Sequence, residues 1–573
     1  MFTSFRPSFA FFLGIASLAS LAGATADTIA PSVQLLADTN RDGKVTAELD
    51  ADGRSSWTSN RGALFLFNCD SDDNSRNPDW MDAFVNGDSD LEDLARLMAA
   101  PIPSLDPHSV VTVSVDEAAK PYVRIFSLGE NADQSKAIDL ESSGNIRPQA
   151  LLSGPLNLGI EARTFATAGW NGLAKVTLSV TSPDGSITSD SVQLRVAPFI
   201  LLSNLKKGET IYVREHIGRN EVFLEQLRTI SEKAEAELHI ISGAESSPYP
   251  SWNIWLQDTM EVGYQAMPGK SMNVILKANR NKALDNFARQ ELLGPDYGWF
   301  ECGSFRPSHG AGEGGTQWMD WFGNLEVTAP IPGYPLGRVI YGITPEGDSL
   351  NPEVVSMLNA QGIQSEPLGL DVGWLQIKHV DEMISFVPTG PNGEFKVMVP
   401  DTGVAIRLLQ EAQDAGNGAT ELLAPFATHG YLKKHPKVTV DALLGDAEMI
   451  NYSKELQEKR IEPMIQKIIQ EFGLKPEQLV RVPFLMESGR EALIPNMVNS
   501  LVINGHLVIP DPNGPVINER DIFQNYMAQQ FAEDAIQLHF VDDRQYHKWS
   551  GNVHCGTNVK REGPSQWWSA VAP

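Results

Sequence analysis

The stretch Val176–Val196, VTLSVTSPDGSITSDSVQLRV, contains two alternating runs separated by a turn signal. Valine or leucine stands at every second position in Val176–Val180 and again at Val192, Leu194 and Val196. Because successive side chains of a strand point to opposite faces, each run predicts a strand with one buried face. The intervening Ser-Pro-Asp-Gly is typical of a turn between strands. We therefore expect residues 27–200 to form an immunoglobulin-like β-sandwich.

The pattern changes after residue 200, where strand-like runs alternate with helical ones. Ile461–Phe472 places apolar residues on one helical stripe, and Gly473 follows as a candidate C-cap. A second helix is predicted over 221–237, and apolar strands lie at 240–241, 274–276 and 500–504. This alternation predicts an α/β domain over residues 201–573.

The first 26 residues have the pattern of a secretory signal peptide. Arg6 precedes the apolar run FAFFLGIASLASLAG, and Ala24-Thr-Ala26 resembles a cleavage site. A membrane anchor would need about 20 apolar residues, which is longer than this run. We expect cleavage after Ala26 and a secreted, extracellular protein.

The charge of the chain limits its partners. Asp and Glu number 72 against 45 Lys and Arg, which gives a formal net charge of −27. Nucleic acid and anionic membranes are therefore disfavoured, whereas calcium and arginine-containing peptides are favoured. The sequence does not predict the oligomeric state.

Cysteine is scarce, at three residues in 573: Cys69, Cys302 and Cys555. In an oxidising compartment an odd number leaves at least one thiol unpaired. A reactive thiol and a buried, inert one are both open explanations. A free cysteine is only about 3% thiolate at pH 7, so a nucleophilic one needs a cation or base beside it.

Two other stretches carry candidate catalytic groups. His379 and Asp381 are one residue apart in a β-branched context, and on a strand they would share a face; a solvent-facing pair on an edge strand is the alternative. Asp258 lies among aromatic and acidic residues, where it needs a cation if buried; an N-cap or surface acid is the alternative. A thiol, an imidazole and two carboxylates together suit a guanidinium, which is planar and forked.

Several blocks of the chain resemble the protein-arginine deiminases, in the same order and from about residue 30 to the end. They are W255-L-Q-D-T-M-E-V-G-Y264, G294-P-D-Y-G298, F322-G-N-L-E-V327, Y334-P-L-G-R338, H379-V-D-E382, P495-N-M-V-N499, G514-P-V-I-N518 and V553-H-C-G-T-N558. The resemblance implies a pentein-type five-bladed α/β propeller with its site in a central tunnel. It also implies hydrolysis of peptidyl-arginine to peptidyl-citrulline and ammonia.

The resemblance assigns roles to individual residues. Cys555 would be the nucleophile, His379 the general acid and base, and Asp258 and Asp381 would hold the guanidinium. Three further positions would contact the substrate: Trp255, Lys282 and Ile377. Lys282 and Trp549 stand where the family has arginines, and Lys378 where it has a glycine, which leaves the peptide preference open.

Calcium is the cofactor that the acidic positions predict. Asp38, Asn40 and Asp42 alternate before Gly43, like the start of an EF-hand loop, but Leu49 replaces its closing glutamate. An acidic turn cluster without an ion is the alternative. By resemblance, one calcium group lies between the two domains and another beneath the active site: Asp50, Asp70, Asp73 and Asp296 for the first, and Gln257, Glu261, Phe322, Leu325 and Glu326 for the second.

A neighbouring calcium site of the family is expected to be absent. Thr259 and Lys277 stand where it has acidic ligands, and Ala278 replaces a serine. We hypothesise that the Lys277 ammonium replaces the ion and weakens calcium dependence. The resemblance also places Cys69 and Cys302 near one calcium group, and leaves a disulfide between them open.

Two other functions remain alternatives: a deiminase of free arginine or agmatine, and a non-catalytic secreted calcium-binding protein. The glycine-rich stretch at 310–315 lacks the Lys-Ser/Thr pair of a phosphate loop, and a lid near the tunnel is the better interpretation.

Overall fold

In a computed structural model, the structure describes residues 32–571 except 74, 130, 143, 245, 250–252, 308–316, 427–432, 434–436 and 488–490. The signal-peptide prediction and the glycine-rich lid prediction both fall outside the described residues. Within those residues, every helix is too short or too polar to cross a bilayer.

The N-terminal region consists of two sheets. One has the order β1-β3-β7-β5 and the other β2-β9-β8-β4-β6. The strands are β1 Leu35–Ala37, β2 Ala63–Phe65, β3 Ala95–Ala99, β4 Val110–Val115, β5 Val123–Ser127, β6 Asn145–Ile146, β7 Leu156–Ala162, β8 Leu173–Thr181 and β9 Ile187–Val196. The two strands expected in the opening stretch are confirmed, because β8 and β9 pair antiparallel with Val176 opposite Val192.

The alternation of β8 has the predicted effect on burial. Val176, Leu178 and Val180 are fully buried, while the residues between them are partly exposed. Both sheets contribute to one hydrophobic cluster, which also contains Tyr264 and Trp567 from the following region. The two regions therefore share packing, and the boundary at residue 200 stays a prediction.

After residue 200, the described part of the chain contains five sheets that repeat one strand arrangement. In each, two antiparallel strands are followed by a third strand parallel to the second. The five orders are β29-β11-β12, β13-β14-β15 (with β10 added at its edge), β16-β17-β18, β19-β20-β23 and β24-β25-β28. The first sheet joins distant parts of the chain, since Val213 of β11 lies opposite Thr557 of β29.

These strands and their connecting helices have the following bounds. The strands are β10 Ile200–Leu201, β11 Gly208–Arg214, β12 Glu237–Ile241, β13 Met260–Met267, β14 Lys270–Lys277, β15 Tyr297–Glu301, β16 Leu325–Val327, β17 Val339–Ile343, β18 Leu368–Asp371, β19 Ser385–Pro388, β20 Phe395–Asp401, β21 Glu421–Leu422, β22 Val438–Thr439, β23 Leu479–Pro483, β24 Leu501–Ile503, β25 His506–Pro510, β26 Val516–Ile517, β27 Arg520–Asp521, β28 Gln537–Val541 and β29 Thr557–Arg561. The helices are α1 Asp88–Glu92, α2 Gln149–Ser153, α3 Glu221–Lys233, α4 Pro352–Ala360, α5 Thr402–Ala412, α6 Val440–Gly445, α7 Ala447–Leu456, α8 Glu462–Phe472, α9 Ile522–Gln530 and α10 Arg544–His547.

Both predicted helices are present, with shifted ends. Helix α3 stops at Lys233, four residues before the predicted end, because Glu235 takes a left-handed conformation at φ 52°. Helix α8 buries Met464, Ile465, Ile468 and Phe472, and Gly473 ends it at φ 64° as expected of a C-cap glycine.

Glutamine side chains join the two regions through backbone groups. Gln265 of β13 accepts from the Phe67 amide at 3.1 Å and donates to its carbonyl at 2.6 Å. Gln361 accepts from the Phe199 amide and donates to the Ala166 carbonyl. These contacts satisfy backbone groups that burial removes from water.

All three cysteines are free thiols. Cys69 is fully buried against Gly298, and the Cys302 sulfur lies 3.7 Å from the Glu353 carbonyl. The Cys69–Cys302 disulfide left open by the sequence is therefore not formed.

Candidate active site

The candidate catalytic residues lie on turns that precede the first strand of successive sheets. Asp258 and Cys555 each stand two residues before a strand, β13 and β29 respectively. Gly323 has the same position before β16, and Asp381 lies four residues before β19. The repeated arrangement thus brings groups from distant parts of the sequence to one place.

The His379–Asp381 pair does not lie on a strand, so that expectation is wrong. His379 is the N-cap of a 3-10 turn over Val380–Glu382, and β19 begins only at Ser385. Lys378 precedes it in a left-handed conformation at φ 68°, and the Glu382 carboxylate accepts from the His379 amide at 3.1 Å. From this turn both side chains still reach one cluster, since His379 Nδ1 and Asp381 Oδ2 both lie close to Gly323.

The four predicted catalytic residues form one buried cluster. The Cys555 sulfur lies 3.5 Å from Asp381 Oδ2, and His379 Nδ1 lies 3.4 Å from Asp258 Oδ1. A methyl group at Gly323 would meet three of them, at 2.5 Å from His379, 2.9 Å from Asp258 and 3.3 Å from Asp381. Gly323 therefore lies where these three side chains meet.

Several polar atoms of the cluster have no hydrogen-bond partner. They are Oδ1 of Asp258, Oδ1 of Asp381 and Nδ1 of His379. Buried polar atoms are nearly always paired in folded proteins, and exceptions call for a ligand or a functional role. The cluster therefore offers two carboxylate oxygens and one ring nitrogen to a bound group.

His379 is oriented by a backbone carbonyl. Its Nε2 lies 2.9 Å from the Trp318 carbonyl oxygen. Because a carbonyl only accepts, Nε2 carries the hydrogen and donates it, which leaves Nδ1 to exchange a proton inside the cluster.

Arg280 supplies a fixed positive charge beside Asp258. Its guanidinium is 1% exposed, lies 3.9 Å from Asp258 and packs 4.6 Å above the ring of Trp321. Burial raises the pKa of Asp258, while His379 and Arg280 act in the opposite direction. The arginine therefore helps this buried carboxyl group to ionise.

The Cys555 thiol rests in a negative environment. Burial raises its pKa well above the usual value, and Asp381, Asp258 and Glu382 raise it further. The free site thus keeps the thiol protonated. A cation bound between the two aspartates would remove this effect and favour the thiolate.

A second polar pocket lies beneath this cluster. Gln257 Nε2 donates to Glu261 Oε2 at 2.8 Å and approaches the Phe322 carbonyl at 3.4 Å. His554 lies between Glu326 and Asp381, at 3.3 and 2.9 Å. Of the predicted ligands for this calcium group, the structure brings together Gln257, Glu261, Glu326 and the Phe322 carbonyl, and Leu325 follows directly as the first residue of β16.

Without a bound cation, the acidic side chains of this pocket have raised pKa values and bind protons more readily than exposed ones. Burial raises the pKa of Glu326 to about 7 and that of Glu261 well above its usual value. Burial opposes the charge of His554, but Glu326 and Asp381 raise its pKa to about 9. Two carboxyl groups and a carbonyl are suitable ligands for calcium, which binds oxygen atoms, whereas the Gln257 amide oxygen accepts from Asn558 at 2.9 Å.

The predicted substrate-binding residues lie around the cluster. The Trp255 ring packs against Gly551 and meets the Tyr546 ring at 5.9 Å. Lys282 begins a 3-10 turn in which its amide donates to Asp285 at 2.8 Å, and half-buried Ile377 lies two residues before His379.

Comparison with known proteins identifies the family. The model described as "Protein-arginine deiminase (PAD)" matches residues 186–569, and that of its middle domain matches 32–182. The chain belongs to the protein-arginine deiminase family. Human protein-arginine deiminase type-4 is 31% identical over 94% of this chain and 83% of its own length, and human type-1 is 30% identical over 94% and 82%.

Solved structures of other deiminases are more remote. An agmatine deiminase from C. jejuni covers 64% of this chain and 98% of its own, with 11% identity and a TM-score of 0.38. So distant a likeness carries no information about the substrate.

The interdomain acidic cluster differs from the predicted ligand set. Asp70 and Asp296 do come together, since Asp70 Oδ2 accepts from the Asp296 amide at 2.8 Å. Asp50 instead accepts from the Thr39 amide at 2.8 Å, in the loop of Asp38, and exposed Asp73 accepts from Ser75. The remaining members of the cluster are residues that the sequence did not single out: Asp72, Asp79, Asp90 and Asp93.

This interdomain cluster fits a cation. Both oxygens of Asp72 and of Asp93 are buried without a hydrogen bond, and Lys270 is a nearby cation, at 3.2 Å from Asp93 and 3.0 Å from Asp296. Burial raises the pKa of Asp70 to about 7 and that of Asp93 to about 10. Several buried carboxyl groups share Lys270 as a cation, and their remaining oxygens are of the kind that calcium binds.

The Asp38–Asp42 loop closes on itself. Asp38 accepts from the amides of Asp42 and Gly43, at 3.1 and 2.8 Å, and Asn40 donates to Asp42 at 2.9 Å. Burial raises the pKa of Asp38 to about 6. The carboxylate oxygens of Asp38 and Asp42 thus accept from amides of their own loop, and calcium binding by Asp38, Asn40 and Asp42 stays a prediction.

Sequence reasoning missed three kinds of residue in this deiminase site. Arg280 carries no motif beyond its position in the NRNK run, and its partner Asp258 is remote in sequence. His554 lies directly before Cys555 in the V553-H-C-G-T-N558 block, which does not indicate its contacts with Glu326 and Asp381. Asn499 belongs to a conspicuous Pro-Asn-Met-Val-Asn block, but an asparagine gives no signal of chemistry by itself.

Proposed function

We propose that this protein hydrolyses peptidyl-arginine to peptidyl-citrulline and ammonia. The observation that carries the proposal is the buried cluster in which the Cys555 thiol adjoins Asp381 and the His379 imidazole adjoins Asp258. Relatives named protein-arginine deiminases match 94% of the chain, which favours peptides over free arginine or agmatine.

The two aspartates are suited to hold the guanidinium. Asp258 and Asp381 each present an unpaired oxygen to the cluster. A guanidinium offers several N–H donors in one plane, so two carboxylates can bind it from opposite sides. Its charge then lowers the cost of forming the Cys555 thiolate next to them.

The reaction proceeds through two displacements at the guanidinium carbon. The Cys555 thiol gives up its proton to His379 Nδ1, the resulting thiolate attacks this carbon, and a tetrahedral adduct forms. His379 gives a proton to one nitrogen, the carbon–nitrogen bond breaks, and ammonia leaves. A thiouronium remains on the sulfur. His379 Nδ1 then takes a proton from water and the hydroxide adds to the carbon. The carbon–sulfur bond breaks, and the proton of the new hydroxyl group passes to the leaving sulfur, which releases citrulline and restores the thiol.

The test compares citrulline formation on three substrates: a blocked arginine ester, free arginine and agmatine. We expect activity on the blocked ester, and none from Cys555→Ala. Cys302→Ala is the matched control, because Cys302 is also a free thiol but lies outside the cluster. Preferred turnover of free arginine or agmatine would support the alternative substrate, and an inactive wild type would support a non-catalytic calcium-binding protein.

We also propose that the five repeated sheets stand around a common axis as the blades of a pentein propeller. Two observations support this. The sheets share one strand arrangement, and β29 from the end of the chain completes the first of them. An experimental structure in which the five sheets form an open row would refute it.

We infer that calcium binds at the interdomain cluster and in the pocket of Gln257, Glu261 and Glu326. When bound, it supplies the positive charge that these carboxyl groups lack. A third, neighbouring calcium site is not expected, because Lys277 forms an ion pair with Glu301 at 2.5 Å and Thr259 Oγ1 donates to the Leu256 carbonyl. An ammonium at this position repels a divalent cation.

Calorimetric titration with calcium tests this assignment. Lys277→Asp leaves two carboxylates together, at 277 and 301, and should add a binding event and raise the calcium requirement for activity. Lys277→Met is the control, since it removes the charge without adding a ligand. A wild type that loses all activity in chelator and recovers only in millimolar calcium would contradict a role of Lys277 in place of the ion.

Secretion is a further proposal, supported by the pattern of residues 1–26. N-terminal sequencing of the protein from culture medium should give Asp27 as the first residue. Intact residues 1–26 on the protein in the medium would refute cleavage.

A further inference from the structure

The turn before β24 is the member of the repeat that the reaction does not use. The corresponding turns before β13, β16, β19 and β29 carry Asp258, Gly323, Asp381 and Cys555. Two residues before β24 stands Asn499, which is 1% exposed. The position that carries a catalytic residue or Gly323 in the other turns is therefore occupied here by the buried carboxamide of Asn499.

The Asn499 carboxamide joins the nucleophile to the carboxylate turn. Its Oδ1 accepts from the Cys555 amide at 3.2 Å, and its Nδ2 donates to the Asp381 carbonyl at 3.3 Å. The backbone carbonyl of Asn499 accepts in addition from the His554 amide at 3.2 Å. One residue thus holds the main chains of two turns that are far apart in sequence.

A second support runs parallel to the first. Asn552 Oδ1 accepts from the Asn496 amide at 3.1 Å, and Asn496 Nδ2 donates to the Glu382 carbonyl at 2.7 Å. Asn552 Nδ2 donates in turn to buried Asp543 at 2.5 Å. The loop before Cys555 is therefore tied at two points to the turn that carries Asp381.

We propose that Asn499 is a positioning residue that fixes the distance between the Cys555 sulfur and the Asp381 carboxylate. The proposal rests on the proposed deimination. Thiol and carboxylate must act on neighbouring atoms of one guanidinium, and a displacement of about 1 Å can cost about a hundredfold in rate. The two hydrogen bonds of the Asn499 side chain reach main-chain groups, so its role is to position and not to transfer protons.

The test compares two Asn499 variants with a matched control. Asn499→Ala removes both contacts, whereas Asn499→Asp keeps an acceptor for the Cys555 amide and loses the donor to Asp381. Asn351→Ala is the control, because Asn351 is equally buried and also joins two backbone segments, accepting from Glu353 and donating to Ser304 at 2.9 and 2.8 Å. We expect kcat to fall at least tenfold in both Asn499 variants, with KM changed less than threefold, and Asn351→Ala to keep wild-type kcat.

Alkylation of Cys555 separates positioning from a general structural effect. Chloroacetamidine must engage the carboxylates and the thiol together, whereas iodoacetamide needs the thiol alone. For Asn499→Ala we expect the rate of Cys555 alkylation to fall at least tenfold with chloroacetamidine and less than threefold with iodoacetamide.

The possible outcomes decide between the proposals. Equal losses with both reagents, or unfolding of both Asn499 variants while Asn351→Ala folds, would overturn positioning in favour of a structural role. Unchanged kcat in a folded Asn499→Ala would overturn it as well. If the wild type forms no citrulline, the proposed deimination is wrong. The ratio of the two alkylation rates then still shows whether Asn499 fixes the position of Cys555 relative to Asp381.

Discussion

At the scale of single residues, the site combines a protonated thiol with an oriented imidazole. The Trp318 carbonyl fixes the His379 tautomer, so that Nδ1 faces Asp258 and the space between the carboxylates. Because carboxylates surround Cys555, the resting enzyme disfavours the thiolate. The substrate's own charge therefore becomes part of the activation of the nucleophile.

The raised thiol pKa should make the rate of Cys555 alkylation by iodoacetamide depend on pH. Burial and nearby carboxylates raise the pKa of Cys555, so the proton is held at neutral pH and is lost as pH rises. We expect the iodoacetamide rate to climb continuously from about pH 6 to beyond about pH 9, whereas a cationic amidine should reach its plateau at lower pH. An iodoacetamide rate that is flat over this range would contradict a raised thiol pKa.

Gly323→Ala should inactivate the enzyme without unfolding it. The added methyl group would lie 2.5 Å from His379 Nδ1 and 2.9 Å from Asp258 Oδ1, which forces these side chains apart. We expect kcat to fall by about a hundredfold or more. Gly445→Ala, where nothing lies within 4 Å of the new atom, should leave kcat unchanged. Full activity of Gly323→Ala would mean that the cluster rearranges before catalysis.

At the scale of single elements, the end of a helix can be predicted from its nearby residues, whereas the conformation of a catalytic turn cannot. Gly473 stops α8 where its sequence predicts. The turn of His379 was misread as a strand, because the β-branched residues around it are buried in a 3-10 turn and in β19 instead. Tertiary burial overrides a short periodic signal in such cases.

Thr439 offers a clean test of a helix cap. Its hydroxyl oxygen accepts from the Ala442 amide at 3.1 Å at the start of α6. Thr439→Ala should lower the free energy of unfolding by about 1 kcal/mol, and Thr439→Ser, which keeps the oxygen, by much less. Urea denaturation followed by circular dichroism measures both, and equal values for the two variants would contradict capping.

At the scale of the whole molecule, the motifs predicted which residues would meet, and the periodicity predicted where sheets and helices alternate. Cys555, His379, Asp258 and Asp381 converge because similar turns precede successive sheets, which residue patterns could not reveal. The interdomain carboxylates were only partly foreseen, since Asp93 approaches Asp70 through folding of distant strands. Arg280 was missed for the same reason.

Phe300 connects the two regions of the molecule. Its ring contacts those of Phe67, Phe165 and Phe199, at centroid distances of 6.1, 5.0 and 5.3 Å. Phe300→Ala should lower the free energy of unfolding by about 3–5 kcal/mol and split one thermal unfolding transition into two. Exposed Phe305→Ala is the control and should change stability by less than about 0.5 kcal/mol. A single unshifted calorimetric peak for Phe300→Ala would show that these rings do not couple the regions.

The pairing of β29 with β11 has a consequence for biosynthesis. Ribosomes make Cys555 and β29 after every other strand described in the structure, and β11 lacks this antiparallel neighbour until then. A nascent chain can therefore build its sandwich and most of its sheets while still lacking the nucleophile. While these earlier strands are being made, the growing chain cannot form the covalent intermediate at its site.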